Sequence, residues 1–234
     1  MTAVYSRTTK DYIHGQNPDG SFQAQTYTLR KGGDFGGPRI DETIDNESFE
    51  DVSLALAVPL AVQGFVPSED PHDTKLLIVV YWGTTIVPDD LNPNDTRSLK
   101  KYSEEFAGME AVQDGKTDAQ TANVLGYSDE IFHASAHDPR RRTLEEEIER
   151  DRYFVVLLAY DYRAYRKFGL RDLLWETRFS IPEAGNDFEK AFPAMAAIAG
   201  KYFGQNSHGL IHHNLDDGHV EVGAPRSLGT LPDR

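Results

Sequence analysis

The densest group of side chains able to bind a metal lies near the carboxyl end, in the segment SHGLIHHNLDDGH. His208 and His212 are four residues apart, so a helix would place both imidazoles on one face at ligand spacing. His213 and His219 lie nearby with two aspartates, and Zn²⁺ accepts ligands of these types. Two glycines in the segment disfavour a helix, and no H-E-x-x-H signature is present. A polar tail with incidental histidines and no cofactor is therefore the leading interpretation, and a zinc site is the alternative.

Positive charge and aromatic rings occur together in the segment YDYRAYRKFGLR, within an otherwise acidic protein. Guanidinium and phenol side chains in combination are typical of sites that stack on sugars, aromatic ligands or a protein partner. Arg163, Tyr165 and Arg166 are therefore candidate ligand-binding residues. The simpler alternative, which is favoured, is a hairpin turn whose arginines pair with surface carboxylates.

The stretch TKLLIVVYWGTT ends an apolar run with an aromatic pair and two threonines. Ligand clefts in α/β sheets lie just outside the carboxyl ends of strands, which makes Trp82, Thr84 and Thr85 candidate ligand-binding residues. Strand side chains alternate between faces, so Tyr81 and Trp82 must point in opposite directions. A run this apolar implies cover on both faces, and packing is the favoured role of both rings. No base accompanies the threonines and no nucleophile elbow is present, so no catalytic residue is nominated.

The composition narrows the classes of partner. Lysine and arginine number 24 against 38 aspartates and glutamates, for a formal charge of −14, which disfavours nucleic acid as a partner. The absence of cysteine excludes disulfides and thiolate metal sites. No apolar run is long enough for a transmembrane span, and the start MTAVYSRTTKDYIHG has no apolar signal core. We expect a location in the periplasm or cell envelope if a signal peptide has been removed, and otherwise in the cytoplasm.

Hydrophobic periodicity predicts an α/β (α+β) domain with a mixed four- to five-stranded sheet and two principal helices packed on it. Strands are predicted at 21–30, 75–82, 153–162 and 173–181, with a possible edge strand at 219–223. Helices are predicted at 48–64 and 187–203, each interrupted by a proline, and the first begins with a Ser48–Asp51 capping box. The first two strands should be parallel, and the last two long strands should form an antiparallel hairpin in which Glu176 and Arg178 face outward.

The domain organisation follows from where this periodicity is lost. Residues 1–20 are polar and aperiodic, which predicts a flexible N-terminal segment, and 21–204 form a single domain. The glycine-rich segment KGGDFGGPR is predicted to end the first strand as a turn. Residues 86–150 are predicted to be a helical insertion that caps one end of the sheet, with one amphipathic helix at 99–109. Residues 205–234 form a C-terminal tail.

Five segments follow one another along the chain: LALAVPLAVQGF, DTKLLIVVYWGTT, VVLLAYDY, LLWETRFSI and DFEKAFPAMAAIAGKYFG. This succession, over residues 47–85 and 153–204, resembles uncharacterised bacterial envelope proteins and lipoproteins of the domain-of-unknown-function type. The resemblance implies an exported, non-catalytic α/β domain and names no catalytic residues. The leading expectation is therefore an envelope-associated domain that binds a protein or a small ligand. The alternative is a metal-dependent hydrolase that uses the C-terminal histidines.

Overall fold

A computed structural model describes residues 1–35, 47–85, 117–135 and 137–214. The strands of these ranges are β1 Thr2–Thr8, β2 Gln25–Phe35, β3 Phe65–Pro67, β4 Leu76–Thr84, β5 Arg152–Asp161, β6 Leu173–Pro182 and β7 Ile211–His213. The helices are α1 Phe49–Val62, α2 Thr117–Leu125, α3 Ser128–His133, α4 Pro139–Ile148, α5 Tyr162–Phe168 and α6 Phe188–Gly200. The strand predicted at 219–223 and the helix predicted at 99–109 lie outside the described residues.

The seven strands form one mixed sheet in the order β3-β2-β4-β5-β6-β1-β7. The pairs β2–β3 and β2–β4 are parallel, and every other pair is antiparallel. The predicted class is therefore confirmed, as are the parallel pair β2–β4 and the antiparallel pair β5–β6. The predicted size of four to five strands is wrong, because the sheet also contains the short strands β3 and β7 and the N-terminal strand β1.

Strand β1 corrects the prediction that residues 1–20 are flexible. It lies between β6 and β7, and its residues Ala3 and Val4 are buried. Ser6 is 1% exposed, and its backbone N–H donates to Ser207 Oγ while its hydroxyl lies 2.7 Å from that of Thr177. Because these polar groups are satisfied by distant segments, the strand is buried without the apolar pattern that marks buried strands in a sequence.

The first long helix, α1, begins as its sequence predicts. Ser48 is the N-cap, and Asp51 completes the capping box, so two backbone N–H groups that the helix leaves unpaired are satisfied. The helix continues through Pro59 to Val62 without being split there. Strand β2 differs from its prediction at the other end: it extends through the first glycines of KGGDFGGPR to Phe35 instead of ending at Arg30.

Each face of the sheet has its own apolar core. On the first face, α1 and α6 cover a cluster that contains alternate residues of β4 and β5, including Trp82. On the second face, the intervening residues of the same strands form a cluster with apolar side chains of α2 and α4. The described part of the predicted insertion therefore covers one face of the sheet instead of capping its end. Among the described helices, none has the length and apolar character needed to cross a bilayer.

We predict that Trp82→Ala lowers the free energy of unfolding by about 3–5 kcal/mol, because it leaves a cavity in the first core. The indole is 1% exposed and stacks on Phe49 with ring centroids 6.5 Å apart. Urea denaturation measures the change, and Phe132→Ala is the control because Phe132 is 84% exposed. The control should change the free energy by less than about 0.5 kcal/mol. Equal effects of the two substitutions would contradict a packing role for Trp82.

Candidate ligand-binding site

A cleft opens on the second face, where β2, β4 and β5 lie side by side near helix α5. It is lined by Arg30, Lys31, Gly32, Leu77, Val79, Tyr81, Tyr160, Tyr165 and Arg171. We call this the tyrosine–arginine cleft. Its volume is about 50 Å³, well below the range of about 300–1,000 Å³ that is typical of sites enclosing a drug-sized ligand, so a ligand here would be only partly enclosed.

The floor of the cleft is built by the alternation of strand side chains. Leu77, Val79 and Tyr81 are successive second-face residues of β4, and all three are buried. Tyr160 of β5 is the register partner of Leu77, so its ring extends this floor across the sheet. The floor therefore combines aliphatic carbons with aromatic rings, which suits the apolar part of a ligand.

A glycine allows one wall of the cleft to form. The register of β2 against β4 shifts between Lys31 and Gly33, which leaves Gly32 as the extra residue of a bulge. A Cβ atom on Gly32 would lie 2.4 Å from the ring of Tyr81. Only glycine therefore permits the phenol ring to lie directly against the backbone of β2.

Two arginines supply positive charge to the cleft. Arg30 of β2 donates a hydrogen bond from Nη1 to the Tyr165 hydroxyl, and its guanidinium lies 5.9 Å from the centroid of that ring. Arg171, between α5 and β6, is exposed. Lys31 does not add its charge here, because its ammonium lies 5.0 Å over the Trp82 ring on the opposite face. Guanidinium groups bind carboxylate and phosphate in bidentate fashion, so the cleft suits an anionic group beside an apolar one.

The structure brings only part of the predicted basic segment to this cleft. Tyr165 lines it, whereas Arg163 and Arg166 are exposed side chains on other sides of α5. Arg166 Nη1 donates to the backbone oxygen of Pro71 at 3.3 Å, and its guanidinium lies 5.9 Å from the Tyr162 ring. The cation that accompanies Tyr165 is therefore Arg30, from a strand far away in sequence, rather than the arginines of its own helix.

The three candidates at the end of β4 lie outside the tyrosine–arginine cleft. Trp82 and Thr84 are buried, and they share one face of β4 because they are two residues apart. Trp82 Nε1 and Thr84 Oγ1 have no hydrogen-bond partner among the described residues. Thr85 Oγ1 accepts a hydrogen bond from the backbone N–H of Arg152 at 3.0 Å, so it joins the ends of β4 and β5.

The C-terminal histidines are separated because their segment is a strand instead of a helix. His212 and His213 belong to β7 and point to opposite faces of the sheet. His212 Nε2 lies 3.0 Å from Glu147 Oε2, and His213 Nε2 lies 3.1 Å from the Tyr202 hydroxyl. His208 is exposed, and His219 lies outside the described residues. Within the described ranges no three histidine or acidic side chains are grouped so as to hold a metal ion, and the zinc site stays a prediction.

Charged side chains are buried under α2, contrary to the prediction that Glu176 and Arg178 face outward into solvent. Both are at most 2% exposed, and Arg178 Nη2 lies 2.8 Å from Glu176 Oε2. Arg7 of β1 forms an ion pair with the other oxygen of Glu176. Arg178 also donates to the backbone oxygen of Asn123 in α2. The pairing compensates the cost of burying these charges and joins β1, β6 and α2.

A second polar group lies beneath α4 and is centred on Glu147. The Tyr127 hydroxyl donates to Glu147 Oε2 at 2.6 Å, His212 contacts the same oxygen, and Arg152 Nη1 lies 4.0 Å from it. Burial by itself raises the pKa of the Glu147 carboxyl. The hydrogen bonds with His212 and Tyr127 and the positive charges of His212 and Arg152 outweigh burial, so the pKa of Glu147 is lowered. The carboxylate thus links α4 to both β5 and β7.

The comparisons with known proteins do not assign the chain to a family. No family model matches it, and neither does any curated protein. A crystal structure of a PDZ domain protein from Parabacteroides distasonis is similar to it with a TM-score of 0.44 and 12% sequence identity. That similarity covers 90% of this chain and 38% of the other, so the chain spans well under half of that protein's length.

We predict that Glu147 makes stability depend on pH in the acidic range. A carboxyl group whose pKa is lowered by folding stabilises the protein fully above its unfolded pKa, about 4.3, and loses that contribution as pH falls through the folded pKa. The advantage of the wild type over Glu147→Gln should therefore shrink as the pH falls below about 5. Denaturation at several pH values measures this difference.

The matched control for this experiment is Glu146→Gln. Glu146 is the neighbouring residue, and its ion pair with Arg142 is largely exposed, with side chains 53% and 84% accessible. Exposed pairs of this kind contribute little to stability. The control should therefore follow the wild type at every pH, and an identical pH dependence in both variants would exclude the Glu147 contacts as its cause.

Proposed function

We propose that this chain is a non-catalytic, exported domain of the cell envelope that binds a small anionic ligand in the tyrosine–arginine cleft. The observation that carries the binding proposal is the placing of Arg30, Arg171 and three tyrosines around an apolar floor. The envelope assignment is supported by the resemblance of residues 47–85 and 153–204 to bacterial envelope proteins.

The chemistry of the cleft defines the class of ligand. The small floor of Leu77 and Val79, bordered by tyrosine rings, can contact the edge of a flat apolar group whose remainder lies at the mouth of the cleft. The guanidinium of Arg30 is held beside Tyr165, so it is partly positioned for a carboxylate or phosphate before the ligand arrives. An anion with an aromatic ring therefore matches the cleft better than either an inorganic anion or a neutral ring.

Isothermal titration with phenyl phosphate tests the proposal. Phenyl phosphate carries both parts of the ligand, whereas inorganic phosphate and phenol each carry one, and both should bind more weakly. Arg30→Ala should weaken binding of phenyl phosphate about tenfold or more, because a charge-assisted hydrogen bond contributes about 1.5–3 kcal/mol. The protein should remain folded, since Arg30 is exposed.

Arg163→Ala is the matched control, because Arg163 is an exposed arginine that does not line the cleft. It removes the same charge from the protein, so a general electrostatic effect would appear equally in both variants. The proposal predicts that Arg163→Ala binds as the wild type does. Equal losses in the two variants, or no detectable binding to the wild type, would contradict an anion site at Arg30.

A further inference from the structure

From Leu54 to its last residue, helix α1 is apolar around its whole circumference. Every residue from Leu54 to Val62 is apolar, in the sequence LALAVPLAV. Its inner side packs on the first core through Val52, Leu56 and Leu60, all of them buried. A helix that is apolar on all sides is normally covered on all sides. Among the described residues, packing on the first core accounts for one half of the apolar surface of α1, and the other half is exposed.

The outer half of α1 forms a continuous exposed stripe. Leu54, Val58 and Val62 are 62%, 70% and 72% exposed, and they follow one another at intervals of four residues. Ala57 and Ala61 lie between them and are also exposed. We call these five residues the outer face of α1. No charged residue occurs from Val52 to Gln63, so the stripe has no charge along its length.

We propose that the outer face of α1 is a dimer interface, which binds the same face of a second copy of this chain. Val58 lies midway between Leu54 and Val62, so a twofold axis at Val58 places Leu54 of each copy against Val62 of the other. Each bulky apolar side chain then meets another in an antiparallel pair of helices. The small side chains of Ala57 and Ala61 allow the helices to approach to about 8–10 Å.

The charges around the stripe favour a second copy over an anionic lipid surface. Glu50 and Asp51 lie in the first turn of α1, and its last turn contains no basic residue. A lipid-binding helix of this type would carry lysine or arginine beside its apolar face. The outer face is also a neutral surface on a chain with a formal charge of −14, so two copies can meet there without opposing carboxylates.

The size of the stripe sets the strength of the interaction. The largest apolar patch on a typical monomer covers about 300–600 Å², whereas a standard interface buries about 800 Å² per partner. A dimer of this size should be weak and reversible. Because the two copies repel each other at long range, salt should strengthen the dimer by screening their charges.

Sedimentation equilibrium of the full chain tests this proposal in low and high NaCl. The wild type should show a monomer–dimer equilibrium whose association constant rises with salt. In Val58→Asp, the carboxylates of the two copies would face each other at the twofold axis. The substitution should therefore weaken the dimer at least about tenfold, or about 1.4 kcal/mol. Its melting temperature measured at a monomeric concentration should equal that of the wild type, because Val58 is 70% exposed in the monomer.

Phe132→Asp is the matched control, since it places the same charge at an apolar residue that is 84% exposed on α3. It should dimerise as the wild type does. A wild type that stays monomeric in both salts overturns the proposal, as does a Val58→Asp variant that dimerises normally. Equal loss in both variants would assign the dimer to another surface. A monomeric wild type that binds phosphatidylcholine vesicles, and loses this binding in Val58→Asp, would assign the stripe to a lipid surface instead.

Discussion

The architecture depends on one constraint: β4 and β5 carry apolar side chains on both faces, so the sheet must be covered on both sides. In β4, Ile78 and Val80 point to the first core, whereas Leu77 and Val79 point to the second. Burial of each such side chain contributes about 1.5–3 kcal/mol. A single layer of helices would leave half of this contribution unrealised, and for that reason the chain supplies helices to both faces.

The two faces meet this constraint by different chemistry. The helices of the first face, α1 and α6, bring their own apolar surfaces to the sheet. The described helices of the second face are short and more polar, and they are joined to it by specific contacts as well as by packing. Arg178 contacts α2, Tyr5 donates to Asp129 of α3, and Glu147 of α4 contacts His212. The contacts of Arg178 and Glu147 fix the positions of α2 and α4, since a buried charge without its partner would be costly.

The tyrosine–arginine cleft illustrates how far sequence could predict a site. Tyr165 was identifiable because its own segment combines arginines with tyrosines. Arg30 could not be identified in this way, because it lies 135 positions from Tyr165 in the sequence. The two residues meet only through the parallel pairing of β2 with β4. Gly32 did carry a usable signal, since a glycine within a strand pattern indicates a bulge or a close approach of another group.

The sequence by itself determined the elements whose stabilising pattern is local. Strands β4, β5 and β6, helices α1 and α6, and the Ser48–Asp51 capping box all follow from residues close together in the chain. The tertiary structure decided the rest: β1 is a strand because β6 and β7 pair with it, and Glu176 is buried because Arg7 and Arg178 neutralise it. Polar residues can be buried wherever a distant segment supplies their hydrogen bonds and countercharges. Local periodicity contains no information about that segment, because it records only whether a side chain is apolar.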